Sequence, residues 1–205
     1  MKEQILCAFS DIFYLKKLDV DLKKSIKKFS KIKFYSTFEK DEDEKIENLT
    51  ESSTIFNVLD YDKNLEKVIL NEFNYFKNTY LKYTNTNFKI STSWLTNSKP
   101  NSFSRMHNHK NCFYSGIFYL KTPENSGNIY FEDYNKRSSF DFIPETYNQY
   151  NSNSYTFGIE ENLLIFFPSY IHHKIKKNKS NENRISLAFN FFPIGKYGAV
   201  DSSII

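Results

Sequence analysis

Apolar residues recur along this chain at two different spacings, and the change from one to the other falls near residue 88. Before it, Leu22, Ile26 and Phe29 follow Asp19 and Asp21 at helical intervals, and either aspartate could cap the helix start. From about Asp62 to Tyr83 a longer stripe of Leu65, Val68, Ile69, Phe73, Phe76 and Tyr80 gathers on one side of a helical wheel, with Lys, Glu and Asn on the other. Beyond residue 88 the pattern becomes two-residue alternation. FKISTSWL, CFYSGIFYLK, NIYFED, NLLIFF, YIHHKIK and RISLAFNFF all read as strands. An amphipathic helix needs a surface to cover its apolar stripe, so the simplest assembly sets a helical layer against the back of a strand-built barrel.

Two stretches break the periodicity. FEKDEDEKIENLTESS, residues 38–53, reads as a charged surface loop. Residues 135–155 form a polar, aromatic-rich insertion that is either a disordered loop or a lid near the barrel mouth. No Gly/Ser- or Pro-rich linker separates the halves, so residues 1–205 are expected to form one domain, with 1–87 a mostly helical support and 88–195 the stranded core. The 21 Phe and 15 Tyr suit a sheet-rich chain.

Charge narrows the function classes slightly. The formal excess of +4 comes from lysines interleaved with Asp and Glu, the pattern of a solvated face. Lys23, Lys24, Lys27 and Lys28 cluster, as do Lys174, Lys176 and Lys177, but neither group has the aromatic interleaving of a nucleic-acid reader, so nucleic acid is not the expected partner. Cys7 and Cys112 stand far apart, which excludes a disulfide framework and a thiolate zinc cage and fits a reducing cytoplasm. No apolar run is long enough to span a bilayer, and Asp11 interrupts the apolar N-terminal patch before any signal-peptide pattern develops. A homodimer through sheet-edge pairing is a reasonable expectation.

The histidines carry the candidate chemistry. On a strand, residues two apart point to one face, so His107 and His109 can aim their ring nitrogens at a common point. In YIHHKIK the lysines alternate with His172, which leaves Ile171, His173 and Ile175 facing inward. An isolated HxH is as readily a pair of exposed strand-end histidines, but three imidazoles brought together suit iron, copper, zinc or nickel. Glu132 or Asp133, ending the NIYFED strand, is the alternative source of a carboxylate ligand. Arg184 and Ser186 share the small polar face of RISLAFNFF with Ala188 and Asn190. Arg184 is either an edge residue paired with a surface carboxylate or, if enclosed, a clamp for an anion, with Ser186 adding a hydroxyl donor. Trp94, Tyr114, Ser115 and Tyr119 are candidate wall residues, with simple core packing the alternative.

The succession SWLTNSKPNSFSRMHNHKNCFYSGIFYL, SGNIYFED, ENLLIFFPSYIHHKI and NRISLAFNFF resembles the 2-oxoglutarate/Fe(II)-dependent oxygenase superfamily, particularly its small members from bacteria and phages. The resemblance covers roughly the C-terminal half. It implies a double-stranded β-helix (jelly-roll, cupin-like) barrel with the N-terminal helices packed on it, and Fe(II) and 2-oxoglutarate as cofactors. His107 matches the first iron ligand and His173 the distal one. Arg184 with Ser186 matches the pair that binds the far carboxylate of 2-oxoglutarate, with Tyr119 and Asn190 as further cosubstrate contacts. His109 departs from the family pattern, standing where an aspartate is usual and leaving the site one unit more positive. The implied reaction is oxidation of a small-molecule or peptide substrate by O2 with release of succinate and CO2. The alternatives are a three-histidine cupin dioxygenase that does not use 2-oxoglutarate, and a non-catalytic jelly-roll binding or structural protein.

Overall fold

A computed structural model describes residues 10–36, 48–134 and 142–199. Cys7, most of the charged stretch at 38–53 and the start of the insertion at 135–155 lie outside the described residues. In chain order the elements are β1 (Tyr14–Lys17), α1 (Leu22–Phe29), β2 (Phe34–Ser36), β3 (Glu51–Ser53), a 3-10 turn (Val58–Tyr61) and α2 (Lys63–Phe76), which runs into a π-helical turn (Lys77–Leu81). Then follow β4 (Asn87–Ser98), β5 (Tyr114–Lys121), β6 (Ile129–Glu132), β7 (Ser154–Phe157), β8 (Leu163–Pro168), β9 (His172–Ile175) and β10 (Arg184–Ile194). Among the described residues no helix is long and apolar enough to cross a membrane.

The strands form a seven-stranded sheet ordered β1-β8-β5-β10-β4-β3-β2 and a three-stranded sheet ordered β7-β6-β9, both antiparallel, which together make the jelly-roll barrel. Both faces of the large sheet are covered at its centre, which explains why β5 and β8 read as nearly continuous apolar runs. The outer face packs Phe118, Leu164, Phe166, Leu187, Phe189 and Phe191 against Leu65, Ile69, Phe73 and Phe76 of α2. Phe73 stacks on Phe191 with ring centroids 3.7 Å apart. The inner face sets Ile117, Tyr119, Ile165 and Phe167 against Ile129 and Phe131 of the small sheet.

Gly116 is required by this packing. A Cβ there would lie 2.2 Å from the ring of the fully buried Phe189. Gly116→Ala is therefore expected to cost about 1–3 kcal/mol through overpacking, read as a lowered urea midpoint at unchanged slope.

The helical readings need adjustment at their margins. Asp21 is the cap of α1, accepting from the Lys23 amide, but Ser25 and Phe29 are the buried residues while Ile26 stays exposed. α2 is capped by Asp62, whose side chain accepts from the Leu65 amide, the Ser25 hydroxyl and the Lys28 ammonium. The π-turn after Phe76 widens the helix, burying Lys77 and turning Tyr80 outward. The N-terminal region also adds three strands, β1, β2 and β3, to the edges of the large sheet. The end of the charged stretch is thus strand rather than surface loop, because Glu51 and Ser52 pair with Asn97 and Thr96 of β4.

Candidate metal and cosubstrate site

His173 lies on β9 facing the interior, flanked by Ile171 and Ile175, and all three are buried. His172 faces the other way, stacked on Tyr134 at 4.2 Å. Glu132 pairs with His172 and not with His173 in the ladder, and accepts a hydrogen bond from the Tyr130 hydroxyl, so its carboxylate belongs to the outer face. Phe131 is the residue opposite His173.

The two other histidines arrive by a route the two-residue alternation does not anticipate. His107 makes an isolated antiparallel bridge with His173, and His109 lies in a loop rather than on the same regular strand. The His107 amide donates to the His173 carbonyl at 3.0 Å and the His173 amide to the His107 carbonyl at 2.8 Å. His109 is tethered through its own amide to the Ser169 carbonyl at 3.0 Å. The three rings converge, with centroids 4.3 Å (His107 to His173), 5.0 Å (His109 to His173) and 5.3 Å (His107 to His109) apart.

One ligand nitrogen from each ring lies within 4.8 Å of the others, and no other such group of His, Cys, Asp or Glu occurs among the described residues. Ligands about 2.1 Å from a shared ion stand roughly 3–3.5 Å apart, so the remaining gap is of a size that side-chain torsions close.

The surroundings prepare these rings for a cation. A carbonyl only accepts, so the contacts of His107 Nδ1 with the Arg105 carbonyl (2.9 Å) and of His173 Nδ1 with the Ile171 carbonyl (3.1 Å) place the proton on Nδ1 in the neutral ring. Nε2 is left with its lone pair, the arrangement that metal-ligating histidines use. Burial, reinforced by the neighbouring imidazoles, holds His173 well below the ordinary histidine range and His109 at about 4. His107 borders the open cavity and keeps exposed surface, yet the protein around its ring lowers it as well. Three neutral imidazoles in an apolar shell of Phe131, Phe167 and Trp94 fit a divalent metal.

A cavity of about 430 Å³ opens beside the histidines. The inner face of the large sheet supplies Trp94 and Thr96 from β4, Ile117 from β5, and Ser186 and Ala188 from β10; Thr50 and Ser52, which sequence reasoning missed, come from the β3 edge. Arg184 lies one step beyond Ser186 on the same face and is fully buried. Its Nη2 donates to the Ser98 hydroxyl at 2.9 Å and its Nη1 to the Gly127 carbonyl at 2.6 Å. Nε has no partner, and none of the ion pairs among the described residues includes this guanidinium. Burial lowers its pKa while the nearby Tyr119 opposes that effect. A buried cation without an anion is costly, and a carboxylate is the group that would relieve it. The edge-residue alternative for Arg184 is thereby excluded.

Tyr119 is opposite Ser186 in the ladder, fully enclosed, and pushed up to about 12 by burial. Asn190 is not brought to this end of the strand. Its amide donates to Thr92 and accepts from Ser115, two positions beyond Ala188 and off the cavity wall. Tyr114 is likewise not a wall residue: it faces α2, against Phe76.

Residues 92–190 match the family model described as "Putative 2OG-Fe(II) oxygenase". That span holds all three histidines and Arg184. This match, over just under half of the chain, supports membership of the 2-oxoglutarate/Fe(II)-dependent oxygenase superfamily. Solved structures agree on the fold of this oxygenase. The epimerase SnoN in complex with Fe3+, alpha ketoglutarate and nogalamycin RO is similar at TM-score 0.63 and 7% identity, over 89% of this chain and 79% of that one. HygX from Streptomyces hygroscopicus, with nickel, 2-oxoglutarate and hygromycin B bound, gives TM-score 0.60 and 7% identity over 88% and 82%. A Pseudomonas putida prolyl-4-hydroxylase gives 0.55 and 12% over 89% and 93%. No curated protein matches the chain.

Proposed function

We propose that this oxygenase hydroxylates a small molecule, with His107, His109 and His173 holding Fe(II) and Arg184 holding the far carboxylate of 2-oxoglutarate. The observation that carries the reading is the fully buried Arg184 guanidinium, without an anion among the described residues, on the same face of β10 as Ser186, which lines a cavity bordered by three neutral imidazoles. When bound, iron and 2-oxoglutarate supply the two-electron oxidation of a C–H bond by O2, with succinate and CO2 as co-products.

The chain's own residues do the positioning. The Arg105 and Ile171 carbonyls orient the imidazoles of His107 and His173 through Nδ1–H. Ser98 anchors one end of the guanidinium, and the Ser186 and Thr96 hydroxyls, 2.6 Å apart, add neutral donors beside it. Phe131 and Phe167 against His173 keep water from the back of the centre. The small-molecule ligands in the HygX and SnoN complexes favour a substrate of that class.

Anaerobic addition of Fe(II) and 2-oxoglutarate together is expected to raise the Tm, and by more than either alone, because both bind the folded state. Melting curves with each ligand test this. No shift with either would overturn the proposal. The neutral third ligand favours one competing reading, a three-histidine dioxygenase independent of 2-oxoglutarate, which O2 consumption without succinate would reveal.

A further inference from the structure

The cavity lining is of two unlike kinds: the hydroxyls of Thr50, Thr96 and Ser186, and the apolar side chains of Leu49, Phe103, Met106, Trp94 and Phe56. Among these lining residues Ser186 is 2% exposed and Phe56 47%.

Phe56 is an unusual residue to leave uncovered, because its backbone is firmly held. Its carbonyl accepts from the Ser93 amide at 2.9 Å, Asn57 bridges to Ser93, and Val58 and Leu59 immediately after it are buried. The ring is fixed beside Trp94, centroids 6.2 Å apart, and Trp94 in turn stands 5.4 Å from His109. Aromatic faces therefore step from solvent to the metal-facing histidine. Folding gains little from the exposed outer step, whereas a ligand ring laid against it would gain stacking and burial.

We propose that Phe56 and Trp94 are the specificity-determining residues of this oxygenase and that they select a substrate presenting one planar, uncharged ring. The proposal rests on the oxygenase reading above. About 430 Å³ is toward the small end of the ~300–1,000 Å³ typical of small-molecule sites. With a dicarboxylate against the hydroxyls that neighbour Arg184, the remainder admits one ring-sized group, while the rest of the substrate stays against the exposed Phe56. The surrounding Leu49, Phe103 and Met106 offer an approaching charge nothing to pair with, and the charged side chain on the lining, Arg105, has contacts of its own.

Trp94 is the single tryptophan of the chain, so its emission reports this site alone. The full chain loaded anaerobically with Zn(II) and 2-oxoglutarate, neither of which turns over, is titrated with benzyl alcohol, cyclohexylmethanol and methyl glucoside. Benzyl alcohol is expected to perturb Trp94 saturably and to bind at least about threefold more tightly than cyclohexylmethanol, which has the same skeleton without a π face. Phe56→Ala should weaken benzyl alcohol about two- to tenfold and Phe56→Tyr should restore it. Thermal protection by metal and 2-oxoglutarate in each variant controls for folding. Equal binding of cyclohexylmethanol, preference for the glucoside, or indifference to Phe56→Ala overturns the inference. If metal and 2-oxoglutarate load but no ring probe binds, this inference alone fails; if they do not load, the oxygenase reading fails first.

Discussion

Replacing Arg184 with methionine is expected to abolish 2-oxoglutarate binding while leaving the ligand-free fold nearly as stable as before. The two effects separate because the buried guanidinium is paired with hydroxyl and carbonyl oxygens but, among the described residues, with no anion. In the ligand-free chain it is a desolvated charge, and an apolar side chain of similar volume relieves that cost even though the Gly127 carbonyl loses a donor. In the complex it is the counter-charge of a carboxylate, and removing one partner of such a buried pair costs about 2–5 kcal/mol, or roughly thirty- to several-thousand-fold in affinity. At a concentration one hundred times the wild-type Kd, 2-oxoglutarate stabilises the parent by about 2.7 kcal/mol, and a thousandfold weaker variant by only about 0.06 kcal/mol. Melting curves with and without 2-oxoglutarate measure both quantities. Persistence of the shift in Arg184→Met would remove Arg184 from the cosubstrate site.

The second large effect concerns the third ligand. His173→Ala should lose metal binding by more than the ~10–100-fold that removal of an outer hydrogen-bond partner costs, because a direct ligand is deleted. His109→Asp should retain it, since two imidazoles and one carboxylate form the facial triad of non-haem Fe(II) oxygenases. Metal content after desalting and succinate formation together decide the matter. If His109→Asp binds no metal while His109→Ala still does, His109 is not a ligand.

Much of this site was legible because strand alternation is a strict rule. The lysines flanking His172 assigned His173 to the interior, and the small polar face of RISLAFNFF marked Arg184 and Ser186, both of which are buried. The same rule misled where the backbone leaves the strand. His107 and His109 converge through a loop docked on β9 and on Ser169, a contact between segments far apart in sequence that no local period encodes. Alternation put Asn190 on the face of Arg184 and Ser186, but it is consumed by Ser115 and Thr92 farther along β10, and Tyr114, a candidate wall residue, opens β5 on its helix-facing side. Leu49, Thr50 and Ser52 read as the tail of a charged loop, since a three-residue edge strand is too short to show alternation. Phe56 carries no periodic signal of its own, and its place on the cavity wall follows from the bridge of Asn57 to β4.

The reciprocal backbone bonds between His107 and His173 have a bearing on how an ion would be held. They settle the backbone spacing of these two residues on folding, so an ion held by both rings would need only side-chain torsions to adjust. His109 is fixed differently, by its amide bond to Ser169 and not by a bridge to β9, so its ring is set independently of that pair. If the three rings hold an ion, a substitution at Ser169 that shifts its carbonyl would move one donor while leaving the other two in place.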